Sequence, residues 1–166
     1  MTTARCYAGG AVAVAADVSA HRMLVVGGQD TVFLDSCELY DAVADRWSMQ
    51  EARLPQAMRC RAAPLAGRSA VLALQWSGNE KTRCALLDVR SCSPSWQPMA
   101  SPESARSCHA IAALGECSMV MLGGFNTGQR STETAQMYDA RADRWSERAE
   151  WRLPATSGSH CAVLVA

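Results

Sequence analysis

The phrase "LYDAVADRWS" (Leu39 to Ser48) recurs, barely altered, as "MYDARADRWS" (Met137 to Ser146). Trp47, Trp96 and Trp145 fall every 49 residues. Gly27-Gly28 and Gly123-Gly124 repeat at nearly twice that period, as do Leu54-Pro55 and Leu153-Pro154. A worn copy lies between them. It reads "ALLDVRSCSPSWQPM" (Ala85 to Met99), with Leu87-Asp88 in place of Tyr-Asp and two extra residues before its tryptophan. A period of this length marks a repeat architecture, in which each copy is one small structural unit.

The unit is built from strands. "RMLVVGG" and "SMVMLGG" are short apolar runs ending in Gly-Gly, a pair that permits positive φ and a sharp turn. "SCELYD" and "ETAQMYD" alternate in the manner of half-buried strands. Asp and a polar linker then lead to "DRWS", and a proline-containing connection leads to a further run such as "SCHAIAAL". Four short strands per period, with no helical periodicity, predict one small antiparallel sheet per repeat. A sheet of that size cannot bury both faces alone, so copies must stack, with tryptophan as a large wedge between neighbours.

At these residues the chain resembles kelch repeats, the blades of a β-propeller. The resemblance is carried by Gly27, Gly28, Tyr40 and Trp47 in the first repeat and by Gly123, Gly124, Tyr138 and Trp145 in the third, with Tyr and Trp seven apart in both. The second repeat keeps Trp96 but has lost Gly-Gly and Tyr. The resemblance implies an all-β fold: an incomplete propeller arc of about three four-stranded antiparallel blades plus a trailing strand. Residues 1–166 then form a single kelch-repeat domain, with repeats at about 8–49, 58–99 and 106–147 and a trailing strand at 158–166. The three tryptophans are expected at equivalent places, with Trp96 the least well packed because its blade lacks Gly-Gly and Tyr.

Composition narrows the function. The 166 residues carry 16 basic and 16 acidic groups, a zero balance that argues against nucleic acid and against an anionic membrane surface. Nearly all the basic residues are arginine, which suits carboxylate recognition but also follows from a biased genome. "AGGAVAVAA" (Ala8 to Ala16) reads as a buried strand rather than the core of a weak secretion signal. No stretch approaches the roughly 18 apolar residues of a membrane span.

Eight cysteines are present, none in a Cys-x-x-Cys pair. They lie within apolar runs as small buried hydrophobes, so reduced structural thiols are favoured over disulfides or a metal site. All eight are expected to be free, with Cys60, Cys108 and Cys161 on corresponding strands. That pattern suits the cytoplasm.

Catalytic signatures are missing. There is no Gly-x-Ser-x-Gly elbow, no phosphate-cradling glycine loop and no His-x-x-x-His pair. His109 and His160 occupy nearly equivalent repeat positions, which fits structure better than catalysis. Some kelch-like propellers are copper oxidases, but their Tyr and His ligands have no counterpart here. No enzyme, cofactor or metal is expected, and a propeller enzyme remains the weakest reading.

The resemblance points instead to loops. Peptide-binding residues of kelch proteins lie on the loop after Gly-Gly and on the connection into the next blade. By position those loops are 29–36, 75–81 and 125–132, and the connections are 49–58, 99–105 and 147–157. Gln29, Asn79, Asn126, Arg59 and Arg106 are the candidate contacts. An arginine just past the connection proline would grip an acidic peptide bidentately, or else serve the structure or solvent. The resemblance implies a protein-interaction module whose partner is another protein. The alternative is a structural piece completed by oligomerisation or by a missing remainder, since three blades leave two open flanks and invite self-association.

Overall fold

The computed structural model describes residues 1–13, 22–65, 70–76, 82–88, 91–156 and 158. Among them there is no helix, and none that is long and apolar enough to cross a membrane. Three four-stranded antiparallel sheets follow one another along the chain. The first holds β1 (Gly9–Ala13), β2 (Arg22–Val26), β3 (Cys37–Asp41) and β4 (Arg46–Met49). The second holds β5 (Arg59–Leu65), β6 (Ala70–Trp76), β7 (Arg83–Asp88) and β8 (Trp96–Met99). The third holds β9 (Ala110–Leu114), β10 (Ser118–Leu122), β11 (Ala135–Asp139) and β12 (Arg144–Arg148). Each is a simple meander, with strands paired in chain order.

The repeated phrase builds the hairpin between the third and fourth strands of a sheet. In the first copy Asp41 Oδ1 accepts the amides of Val43 and Ala44, both at 3.0 Å. In the third, Asp139 Oδ1 accepts those of Arg141 and Ala142 at 2.8 and 3.3 Å. Asp45 and Asp143 close these turns at φ 47° and 45°, a region that aspartate tolerates better than most residues. Each of these carboxylates also accepts a tyrosine hydroxyl, Tyr40 at 2.7 Å and Tyr138 at 2.8 Å. The tyrosine ring stacks on the tryptophan directly across the hairpin, with centroids 5.0 Å apart for Tyr40–Trp47 and 5.1 Å for Tyr138–Trp145.

Strand register fixes which residues are equivalent. Tyr40 pairs with Trp47, Leu87 with Trp96 and Tyr138 with Trp145, so the three tryptophans hold the same place. The sheets stack in sequence. One core joins the first to the second: Leu24, Val26, Cys37 and Leu54 against Cys60, Ala62, Leu87 and Trp96. Another joins the second to the third: Ala63, Leu65 and Cys84 against Met119, Met121, Tyr138 and Trp145. Trp96 and Trp145 therefore pack toward the preceding sheet. This overturns the expectation that Trp96 packs least well. Trp96 is 6% exposed and Trp145 7%, whereas Trp47 is only half-buried. Position in the stack decides this, because no sheet of the described chain precedes the first.

Register also corrects the cysteine alignment. Leu74 faces both Arg61 and Cys84, Val26 faces both Gly9 and Cys37, and Leu122 faces both Ala110 and Ala135. Arg61, Gly9 and Ala110 are thus equivalent, which makes Cys60 the counterpart of His109. Cys108 is the counterpart of Arg59 and Tyr7. A slip of one residue reverses the face along a strand, and accordingly Cys60 is buried while Cys108 is partly exposed ahead of β9. Seven cysteines lie in the described chain and all are free thiols. Cys161, with the expected trailing strand 159–166, lies outside the described residues.

Candidate functional site

The Gly-Gly pairs anchor one end of the first and third sheets. Gly27 and Gly28 have φ 57° and 100°, and Gly123 and Gly124 have 57° and 90°. A Cβ on Gly124 would also lie 2.5 Å from the Ser107 carbonyl oxygen, so the turn needs glycine for conformation and for space. This turn brings three segments together at the same end: the loop after the second strand, the entry to the first strand, and the exit from the fourth. In the first sheet Gln29 and Cys6 exchange backbone hydrogen bonds of 2.8 Å. In the third, Phe125 and Ser107 exchange bonds of 2.9 Å.

A buried arginine clamps each Gly-Gly loop. Arg5 Nη1 donates to the carbonyls of Gly27 at 2.9 Å and Ser36 at 3.0 Å, and its Nη2 meets Glu38 Oε1 at 2.6 Å. Arg106 does the same in the third sheet, donating to the carbonyls of Gly123 at 3.2 Å and Thr134 at 2.7 Å and to the Thr134 hydroxyl. Its expected role as a peptide-gripping residue does not fit this placement. Arg106 is 3% exposed, and its donors serve the loop that Gly123-Gly124 opens. The residue matching Arg106 in the first repeat is Arg5, not Arg59.

The second sheet shows that these features travel together. Ala57 stands in the arginine position, Ala85 in that of Glu38 and Gln136, and Gln75-Trp76 in that of Gly-Gly.

Arg59 lies differently. It is partly exposed, its Nε and Nη2 donate to Gln29 Oε1 at 3.2 and 3.1 Å, and its guanidinium sits 4.4 Å over the ring of Tyr7. The expected contacts Gln29 and Arg59 are thus brought together. Tyr7, which the sequence pattern did not single out, is 51% exposed and completes a stacked cation–aromatic pair. Its signal was the repeat position it shares with Arg59, visible only once register is known. Val32 and Phe33, on the same loop as Gln29, are also exposed, and Phe33 pairs with Gln29 through a β-bridge.

Asn126 is exposed, but its Oδ1 accepts the amides of Gly128 and Arg130 at 3.0 and 3.1 Å. It shapes its own loop and is not brought to Arg59. Asn79 lies outside the described residues. At the connections, Arg53 pairs with Asp35 at 2.7 Å and Arg152 with Glu133 at 2.8 Å. Leu54 and Leu153 donate their amides to the carbonyls of those same acidic residues, at 2.9 and 2.8 Å. No group of three or more His, Cys, Asp or Glu with metal-holding geometry occurs among the described residues.

The family model for the Kelch motif matches residues 5–50, from the clamping Arg5 through all four strands of the first sheet. No curated protein matches the chain. Kelch repeats are in general protein-interaction folds and are typically non-enzymatic. The hairpin, the stacked Tyr-Trp pair and the clamping arginine recur in the third sheet, so the chain carries a Kelch motif over residues 5–50 and three unclosed four-stranded sheets consistent with part of a propeller.

Proposed function

We propose that the chain is a protein-interaction module that binds a partner protein at the Gly-Gly end of its first two blades. The observation that carries this reading is the Arg59–Tyr7 stack beside exposed Val32 and Phe33. Aromatic and arginine side chains in one exposed patch are the composition of interface hot spots. The arginine favours a partner segment that offers a carboxylate next to an apolar side chain. Gln29 orients the guanidinium, and the rigid blades hold the loops in place. The three blades act as one domain.

The seven free thiols support a reducing compartment, and we assign the chain to the cytoplasm. Burial pushes the Cys37 thiol up to about 11 and drives those of Cys60 and Cys84 well above the ordinary value. These are inert packing groups rather than nucleophiles or ligands. Catalysis, cofactor binding and contact with nucleic acid or membrane form no part of the reading.

The test is selection from a random peptide display library against the immobilised chain. Peptides enriched on the wild type should carry Asp or Glu beside an apolar residue, and Arg59→Glu with Phe33→Ala should abolish their binding. Enrichment that survives both substitutions would overturn the assignment.

A further inference from the structure

The first and third blades each present one face that no other described blade covers. The internal joints show what such faces receive. At the joint between the second and third blades, the third contributes Met119, Met121, Tyr138, Ala140 and Trp145. Register places Met23, Val25, Tyr40, Ala42 and Trp47 at the same positions on the first blade. That face holds a groove of about 410 Å³, lined by Met1, Tyr7, Met23, Val25 and Trp47 among others. Met23 is 38% exposed within it.

The opposite face is equally matched. At the joint between the first and second blades, the first contributes Leu24, Val26, Cys37, Leu39, Ala52 and Leu54. On the third blade the same register positions carry Val120, Leu122, Ala135 and Met137, while Trp151 and Leu153 occupy the connection. All are apolar, and Trp151 is 37% exposed.

The polar groups match as well. Trp145 Nε1 donates to the Ala100 carbonyl at 2.8 Å, and the Ala100 amide donates to Asp143 Oδ1 at 2.9 Å. Ala100 is the residue that leaves β8. Trp47 and Asp45 repeat the tryptophan and the acceptor on the first blade, and exposed Ala149 leaves β12 as Ala100 leaves β8. The second blade lacks the acceptor, because Pro94 stands two residues before Trp96.

We propose that these two flanks are halves of one joint. A second copy of this chain docks head to tail, the third blade of each copy against the first blade of the other. Two arcs of three blades then close a ring of six, within the roughly 4–8 blades of closed propellers. A heterologous contact that closes on itself also ends the assembly at two copies rather than running on as a filament. Trp47 gains the neighbour that Trp96 and Trp145 already have, and the Ala149 carbonyl accepts its indole N–H.

Sedimentation and light scattering on the whole chain test this. The expected mass is twice the 17.8 kDa of one chain. Met23→Glu and Trp151→Glu, each at a partly exposed side chain on a different flank, should each give a monomer. An equimolar mixture of the two variants should recover a dimer, because one intact first-blade face still meets one intact third-blade face. Wild type that stays monomeric overturns the proposal and needs no variant to do so. So does open-ended polymer, and so does a Trp151→Glu chain that remains a dimer, which would mean that like faces pair with like.

Discussion

Trp145 and Ala100 lock one blade to the next: the indole N–H of the third blade reaches the backbone carbonyl at the exit of the second, at 2.8 Å. The same tryptophan stacks on Tyr138, whose hydroxyl bonds Asp143, and Asp143 in turn accepts the amide of Ala100. Four residues thus close a circuit across the joint, and the apolar core of the two blades surrounds it. The phrase written twice in the sequence encodes three of the four. What looks like a motif is the blade-facing half of a joint.

Truncating this wedge should be costly. Trp145→Ala removes a large side chain that is 7% exposed and should lower the unfolding free energy by about 3–5 kcal/mol, the usual range for a buried large aromatic. Trp145→Phe keeps most of the packing but orphans the Ala100 carbonyl, and should cost about 1–3 kcal/mol. Urea denaturation of the two variants checks the order. Equal losses would mean that the packing kept by phenylalanine contributes nothing and that the lost indole hydrogen bond accounts for the effect.

The two arginines that the sequence set side by side should separate by assay. Arg106→Met leaves the carbonyls of Gly123 and Thr134 without their charged donor and should cost about 2–3 kcal/mol. Arg59→Ala touches a partly exposed stack on Tyr7 and should change stability by less than about 1 kcal/mol. Thermal melts together with peptide binding distinguish them. Arg59→Ala should lose binding at nearly unchanged Tm, and Arg106→Met should lower Tm while the folded fraction still binds.

These outcomes show where sequence was informative. Spacing alone gave the number of sheets, the hairpin and the equivalence of the tryptophans, because a strand pair with a fixed turn leaves little freedom in the positions of Tyr and Trp. Spacing was misleading wherever the connections vary in length. Counted from the connection prolines, Arg59 aligns with Arg106, but register matches Arg106 with Arg5 through a shared pair of acceptors, one of them the carbonyl of a positive-φ glycine. The burial of Trp47 was not legible for a different reason. Its motif is complete, whereas its exposure depends on which blade precedes it. A worn repeat such as the second can pack its tryptophan more tightly than a perfect one at the edge.

Thiol reactivity should follow the strand faces. Cys6 and Cys92 are exposed, Cys108 and Cys117 partly so, and Cys37, Cys60 and Cys84 are buried. With an aromatic disulfide reagent and no reductant, the exposed pair should react fastest in the native protein. The buried three should react only on unfolding, since burial raises their thiol pKa and blocks access as well. Mass spectrometry of the labelled peptides gives the order, and early labelling of Cys60 would contradict the joint between the first two blades.

Acid should weaken the first blade through Glu38. Burial by itself would raise this carboxyl, but the amide and hydroxyl of Thr2, the Arg5 guanidinium and the Thr3 amide together bring it down to about 2. A carboxylate whose folded pKa lies below its unfolded value stabilises the fold above that unfolded value, near 4.5. The stabilisation falls away as pH drops from about 4.5 toward 2, and a shift of this size is worth on the order of 3 kcal/mol at neutral pH. Asp41 and Asp139 are also lowered, by backbone amides, and they add to the acid slope of any variant. Glu38→Gln therefore isolates the contribution of this one carboxylate. Its Tm should lie well below that of the wild type at pH 7, and the gap should close between pH 4.5 and 2. A gap that stays constant across this range would show that Arg5 and Glu38 contribute no more to stability as an ion pair than their neutral hydrogen bonds would.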